Sequence, residues 1–157
     1  MQRRSILSVA THLLALALGF SLGIYALPIL TAPPSPTADG LQKIASQAKY
    51  HGDFTRDLAG SDFLHWGEGR VSLTNGSISL QGELAPGPDY RLYLAPEFVE
   101  TEEQFEQLKP QMLEVGDVKT FSNFYLALDS SIDLDAYNTV IVWCESFGEF
   151  ITSARYR

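Results

Sequence analysis

The sequence predicts an all-β domain, an antiparallel sandwich or barrel with one or two short helices, set behind an N-terminal membrane-spanning helix. Three observations carry that prediction. Residues Ile6–Leu27 hold no formal charge; downstream, short runs rich in Val, Ile, Tyr and Phe recur between turn signals; and only two brief stretches space their apolar residues as a helix does. The 157 residues leave room for one domain of ordinary size.

The first element is "ILSVATHLLALALGFSLGIYAL", 22 residues. At about 1.5 Å per residue it spans about 33 Å, enough to cross a hydrocarbon core. Arg3 and Arg4 precede it and the next basic residue is Lys43, so the positive-inside rule keeps residues 1–5 cytoplasmic and places the domain outside. In a Gram-negative bacterium that is the periplasm. A cleaved signal peptide has an apolar region of only about 7–15 residues, so an uncleaved anchor over 6–30 is the expectation. Ala15, Gly19 and Gly23 recur every four residues, a small-residue stripe through which two such helices can associate.

Residues 31–40 contain Pro33, Pro34 and Pro36 and read as an extended, semi-rigid linker. The domain follows over 41–157. Leu41, Ile44 and Ala48 share a helical face, with Asp39 as the expected N-cap of a short helix. "RVSLTNGSISLQ" is a hairpin: Asn75-Gly76 form a two-residue turn, so Thr74 faces Ser77, Leu73 faces Ile78, Ser72 faces Ser79 and Val71 faces Leu80. Further strands are expected at "DYRLYLAP", Val118–Phe121, Phe124–Leu128, "TVIVWCE" and "FITSARYR". Between the first two, Thr101 and Gln104 make a capping box before Phe105, Leu108 and Met112, and Pro110 ends that helix.

Charge narrows the function. Beyond Arg3 and Arg4, nine basic residues stand against 19 acidic ones, a formal charge of −10. That surface repels phosphate, which argues against nucleic acid as a partner. His12, His51 and His65 are not spaced as zinc ligands, and the single cysteine excludes C-x-x-C and C-x-x-C-H motifs. "DSSIDLDAYNTV" has Leu134 and Val140 where a calcium loop needs Gly and Glu. No nucleophile elbow or phosphate-binding glycine loop occurs, so nothing supports a hydrolase or transferase.

Cys144 is left. Alternation in "VIVWCE" puts it on one strand face with Val140 and Val142, and Ile141 with Trp143 on the other. It is either a small buried hydrophobe or a reactive thiol outside the cytoplasm, and the spacing leaves both open.

The segment "YNTVIVWCESFGEFITSARY" resembles the C-terminal signature of the DM-thirteen domain family, an all-β domain often found beside DOMON domains. "HWGEGRVSL" is similar to the family's His-then-Gly strand entry, at His65 and Gly69, and "GPDYRLYLAP" to its Gly-Pro-Asp turn, at Gly87, Pro88 and Asp89. The resemblance runs from about Gly52 to Tyr156, with Glu97–Glu114 longer than the family core. It implies a redox or electron-transfer module with Cys144 as the active group, His65 and Asp89 as neighbours, Gly87 and Pro88 as support and Trp143 as an aromatic wall. It names no cofactor, and implies a redox or structural protein partner outside the cytoplasm. The competing reading is a non-catalytic protein- or glycan-binding domain that presents Tyr90, Tyr93 or Phe98. Parity of His65, Gly67, Gly69, Val71 and Leu73 further predicts that a strand running back through "HWGEG" turns His65 inward beside space left by the glycines, where an imidazolium would lower the thiol pKa.

Overall fold

The structure is a computed structural model and describes residues 2–157. Helix α1 (Gln2–Thr31) is followed by α2 (Ala38–Ala45), β1 (Tyr50–Phe54), β2 (Gly67–Thr74), β3 (Ser77–Leu84) and β4 (Tyr90–Ala95). Then come α3 (Glu102–Leu108), β5 (Leu113–Val118), β6 (Phe124–Ala127), β7 (Thr139–Cys144) and β8 (Glu149–Arg155). Two antiparallel four-stranded sheets result, ordered β1-β2-β3-β6 and β5-β4-β7-β8. The edges β1 and β8, and β5 and β6, lie against each other, so the sandwich closes toward a flattened barrel. Gly52 permits one of those approaches, because a Cβ there would come within 2.9 Å of the Arg155 carbonyl oxygen.

The hairpin register is the expected one at all four pairs, Thr74 with Ser77 through Val71 with Leu80. Val71, Leu73, Ile78 and Leu80 therefore enter the main core, where they meet Leu92, Leu94, Val140 and Val142 of the facing sheet. The opposite face of β4 and β7 is buried as well. Tyr93, Ile141, Trp143 and Phe150 pack there under α3, with Phe105 at the centre. Alternation in these strands thus separates two cores rather than core from water.

Thr101 caps α3, its hydroxyl accepting from the Gln104 N–H, and the Gln104 side chain accepts from the Glu100 N–H. Several local expectations change. Thr37, not Asp39, caps α2 by accepting from the Gly40 N–H, and Asp39 lies in the first turn. The strand expected at Val118–Phe121 is β5, ending where that expectation began; β5 was hidden because Gly116 and a bulge at Val115, opposite Leu92 and Tyr93 of β4, break its alternation. Strand β1 had no signal, since "YHGDF" is short and contains Gly and Asp. The stretch between α1 and α2 is 32–37, and it rests on the domain: Ser122 donates to the Ser35 hydroxyl at 2.6 Å and Asn123 to the Pro36 carbonyl at 3.1 Å.

Helix α1 is long and apolar enough to cross a membrane, with mean hydropathy 2.2. Its last turns run beside the domain. Ser21, Ile24, Tyr25, Leu27, Pro28 and Thr31 line hollows whose other walls are β-domain residues.

Candidate functional site

Cys144 ends β7, an interior strand of its sheet, and is 3 % exposed. Its register partner is Tyr90, the first residue of β4. The Gly87-Pro88-Asp89 turn enters β4 at that level with Asp89 at φ 54°, in the left-handed region that Asp tolerates better than most residues. This turn brings the Pro88 carbonyl to the thiol, which donates to it at 3.1 Å. Gly87 is required by contact, because a side chain there would strike the Tyr90 ring. Tyr90 in turn donates from its hydroxyl to the Ala85 carbonyl at 3.0 Å.

Beyond the sulfur lies a cavity of about 270 Å³. The three segments singled out in the sequence meet around it: His65 from one, with Leu64 just before it, Gly87, Pro88 and Tyr90 from the second, and Cys144, Phe147 and Glu149 from the third. His65 is not on a strand. It sits in a bend before β2, held by Asp62, whose Oδ1 accepts from the Leu64 and His65 N–H groups at 2.7 and 2.8 Å. The other oxygen, Oδ2, is 3.1 Å from His65 Nδ1. A neutral ring that donates Nδ1–H to Asp62 carries its lone pair on Nε2. Asp62 had no distinguishing motif. An Asp three residues before the candidate His65 is the pattern through which it was visible in principle. Partial burial works to raise the Asp62 carboxyl, but the Leu64 N–H and the His65 ring and N–H outweigh it, so its pKa lies below the usual carboxylate value.

The glycines beside His65 do not leave free space. A Cβ on Gly67 would meet Thr152 Cγ2 at 2.5 Å and Leu84, and Gly69, at φ 119°, lies against the β3 backbone. Both are glycine because neighbours come close.

Trp143 is not a wall of the thiol site. Successive strand residues point to opposite faces, and Trp143 stacks on Phe105 with ring centroids 3.9 Å apart in the outer core. Glu145, the acid after the cysteine, belongs with that outer face too. It is held by Lys109 Nζ at 2.8 Å to both oxygens and by the Tyr93 hydroxyl. Asp89 lines a neighbouring hollow and not this cavity; it accepts from the Ser146 hydroxyl at 2.7 Å, lies 3.5 Å from Arg91, and reaches the thiol through its charge.

Burial pushes the Cys144 thiol above its ordinary pKa, and the charges of Asp89 and Glu149 add to that; the Phe147 and Ser146 N–H groups pull the other way without prevailing. The expectation of a thiol lowered by imidazolium is therefore reversed: desolvation, not His65, dominates. At neutral pH the resting group is the protonated thiol.

A family description, Electron transfer DM13, matches residues 58–156. The chain belongs to the electron transfer DM13 family. No curated protein and no solved structure matches it. The matched region of this DM13 domain runs from the loop before Asp62 through the end of β8, so it contains all three segments that surround the cavity. Helices α1 and α2 and strand β1 precede it.

Proposed function

We propose that the protein is a membrane-tethered, extracytoplasmic redox module of the DM13 type, working through Cys144. The observation that carries this reading is the convergence of His65, Gly87 and Pro88 of the turn, and Cys144, distant in sequence, on one cavity. Family membership supplies electron transfer as the general function, and the uncharged Ile6–Leu27 stretch of α1 supplies the tether, with Arg3 and Arg4 on the cytoplasmic side.

A lone cysteine forms a disulfide only with another molecule. The step proposed is exchange with a partner disulfide. Cys144 releases its hydrogen bond to Pro88 and gives its proton to His65 Nε2 across the cavity, and the Ser146 and Phe147 N–H groups receive the thiolate. The thiolate attacks one partner sulfur, an S–S bond forms, and the other sulfur leaves with the electron pair and takes up a proton from His65. Cys144 is oxidised and the partner thiol is the reduced product. Asp62 positions His65 as the proton carrier.

Reaction of the folded protein with a small aromatic disulfide, followed by release of the coloured thiol, tests this. Native protein is expected to react once per chain, faster as pH rises; Cys144→Ser abolishes the reaction and His65→Ala slows it. Absence of reaction unless denaturant is added would overturn the redox reading and leave Cys144 a core residue. The binding-module alternative loses two of its three aromatics in any case, because Tyr90 and Tyr93 are each only 3 % exposed.

A further inference from the structure

Among the described residues, the β domain exposes four large apolar or aromatic side chains: Phe63, Leu64, Tyr125 and Phe147. Tyr125 stands alone on β6, but the other three gather at the mouth of the thiol site. Leu64 and Phe147 line the Cys144 cavity, and Phe63 and Leu64 line a second hollow beside it of about 630 Å³. Phe63 is 91 % exposed at the tip of its bend, which no packing within this chain explains.

Both hollows share Tyr25 of α1 with Leu64 and Pro86 of the domain. Ser21, Ile24 and Tyr25 border the first, and Tyr25 the second. These residues belong to the uncharged Ile6–Leu27 stretch, whose length of about 33 Å is nearly all needed to cross a core of about 30 Å. If α1 spans the bilayer, side chains level with Ser21–Tyr25 lie at lipid depth, not above it. The composition there agrees. Tyr25 and Trp66 border the second hollow, and Arg56 lies 3.4 Å over the Trp66 ring, the aromatic and amphipathic set that favours a membrane–water boundary. Electrostatic attraction to anionic lipid is not available to a domain with a formal charge of −10, so any hold on the bilayer comes from the apolar side chains, among which Arg56, Asp62 and Glu149 also border the hollows.

We infer that Phe63, Leu64 and Phe147 insert into the outer interfacial layer of the bilayer that α1 crosses, so that the Cys144 cavity opens onto lipid instead of bulk water. This rests on the tether assigned under the proposed function. The partner group that reaches the thiol then approaches along the membrane surface.

The full chain, reconstituted into phosphatidylcholine vesicles, tests it. A polarity-sensitive fluorophore is placed singly through Phe63→Cys, Phe147→Cys, Tyr125→Cys or Leu14→Cys, each on Cys144→Ser, and quenched by lipids spin-labelled near the headgroup end of the acyl chain or near its terminus. Positions 63 and 147 are expected to lie about 5–10 Å into the boundary, quenched by the shallow label and blue-shifted, while position 125 reads as water and position 14 is quenched by the deep label. Quenching at 14 with water-like signals at 63 and 147 overturns the inference and leaves the tether standing. Loss of quenching at 14 removes the tether; if 63 and 147 are then also unquenched, both fall, and if they remain quenched the loops bind lipid without it.

Discussion

At Cys144 the decisive quantity is the balance between burial and the groups aimed at the sulfur. Of the two carboxylates that raise the thiol pKa, Asp89 and Glu149, Asp89 has the larger effect, and its side chain also serves the turn through Ser146. Asparagine keeps the hydrogen-bonding shape and tolerates the left-handed backbone, so Asp89→Asn is expected to shift the alkylation profile of folded Cys144 to lower pH. The rate of iodoacetamide labelling against pH reads this; an unmoved profile would mean the charge is screened at the sulfur. Gly69 makes a second prediction. Its φ of 119° and its contact with the Gln81 carbonyl leave no room for a side chain, so Gly69→Ala costs about 1–3 kcal/mol in urea unfolding.

The outer core under α3 is separate from the thiol site, and its mutants separate stability from chemistry. Phe105 is fully buried and stacked on Trp143. Phe105→Ala is expected to cost about 3–5 kcal/mol while leaving the pH midpoint of Cys144 labelling in the remaining folded protein unchanged. A midpoint that moved with it would tie Trp143 to the thiol after all. In β8, Thr152 is buried with its hydroxyl unpaired among the described residues. Removing an orphaned hydroxyl from such a site relieves a desolvation penalty of about 1–3 kcal/mol, so Thr152→Val is expected to be neutral or stabilising, as calorimetry would show by an equal or higher Tm.

Over the whole domain, Cys144, Tyr90, Tyr93 and Tyr156 all hold their protons more tightly than ordinary thiols and phenols, burial being the leading cause for each. Below the ordinary values, about 8.5 for thiol and 10 for phenol, both folded and unfolded chains are protonated and these groups add their full share of stability. As pH rises through those values the unfolded chain loses protons first, so stability falls. Urea unfolding midpoints are expected to decline progressively from about pH 8.5 upward, and a flat profile to pH 11 would contradict the burial of these groups. The decline is an equilibrium effect and reverses on return to neutral pH.

Some of this protein is written locally. A two-residue Asn-Gly turn between alternating strands has one register that puts Val71, Leu73, Ile78 and Leu80 on a single face, so the hairpin could be read without its surroundings. The Thr101 cap and the length and apolarity of α1 are legible for the same reason: each depends on residues a few positions apart. The placement of Cys144 on the inner face with Val140 and Val142 also follows from alternation alone. What alternation cannot supply is the identity of the opposite face. "VIVWCE" looks the same whether Trp143 meets water, a thiol or a second core, and only the docking of α3 put Phe105 against it. Strand β5 stayed hidden because its bulge matters only when β4 is beside it. The site was decided at the same level: Pro88 and Cys144 are 56 positions apart and bond because Tyr90 pairs with Cys144 across two strands. Likewise the raised thiol pKa comes from how much of the fold closes over the sulfur, a sum over distant side chains that no stretch of sequence contains.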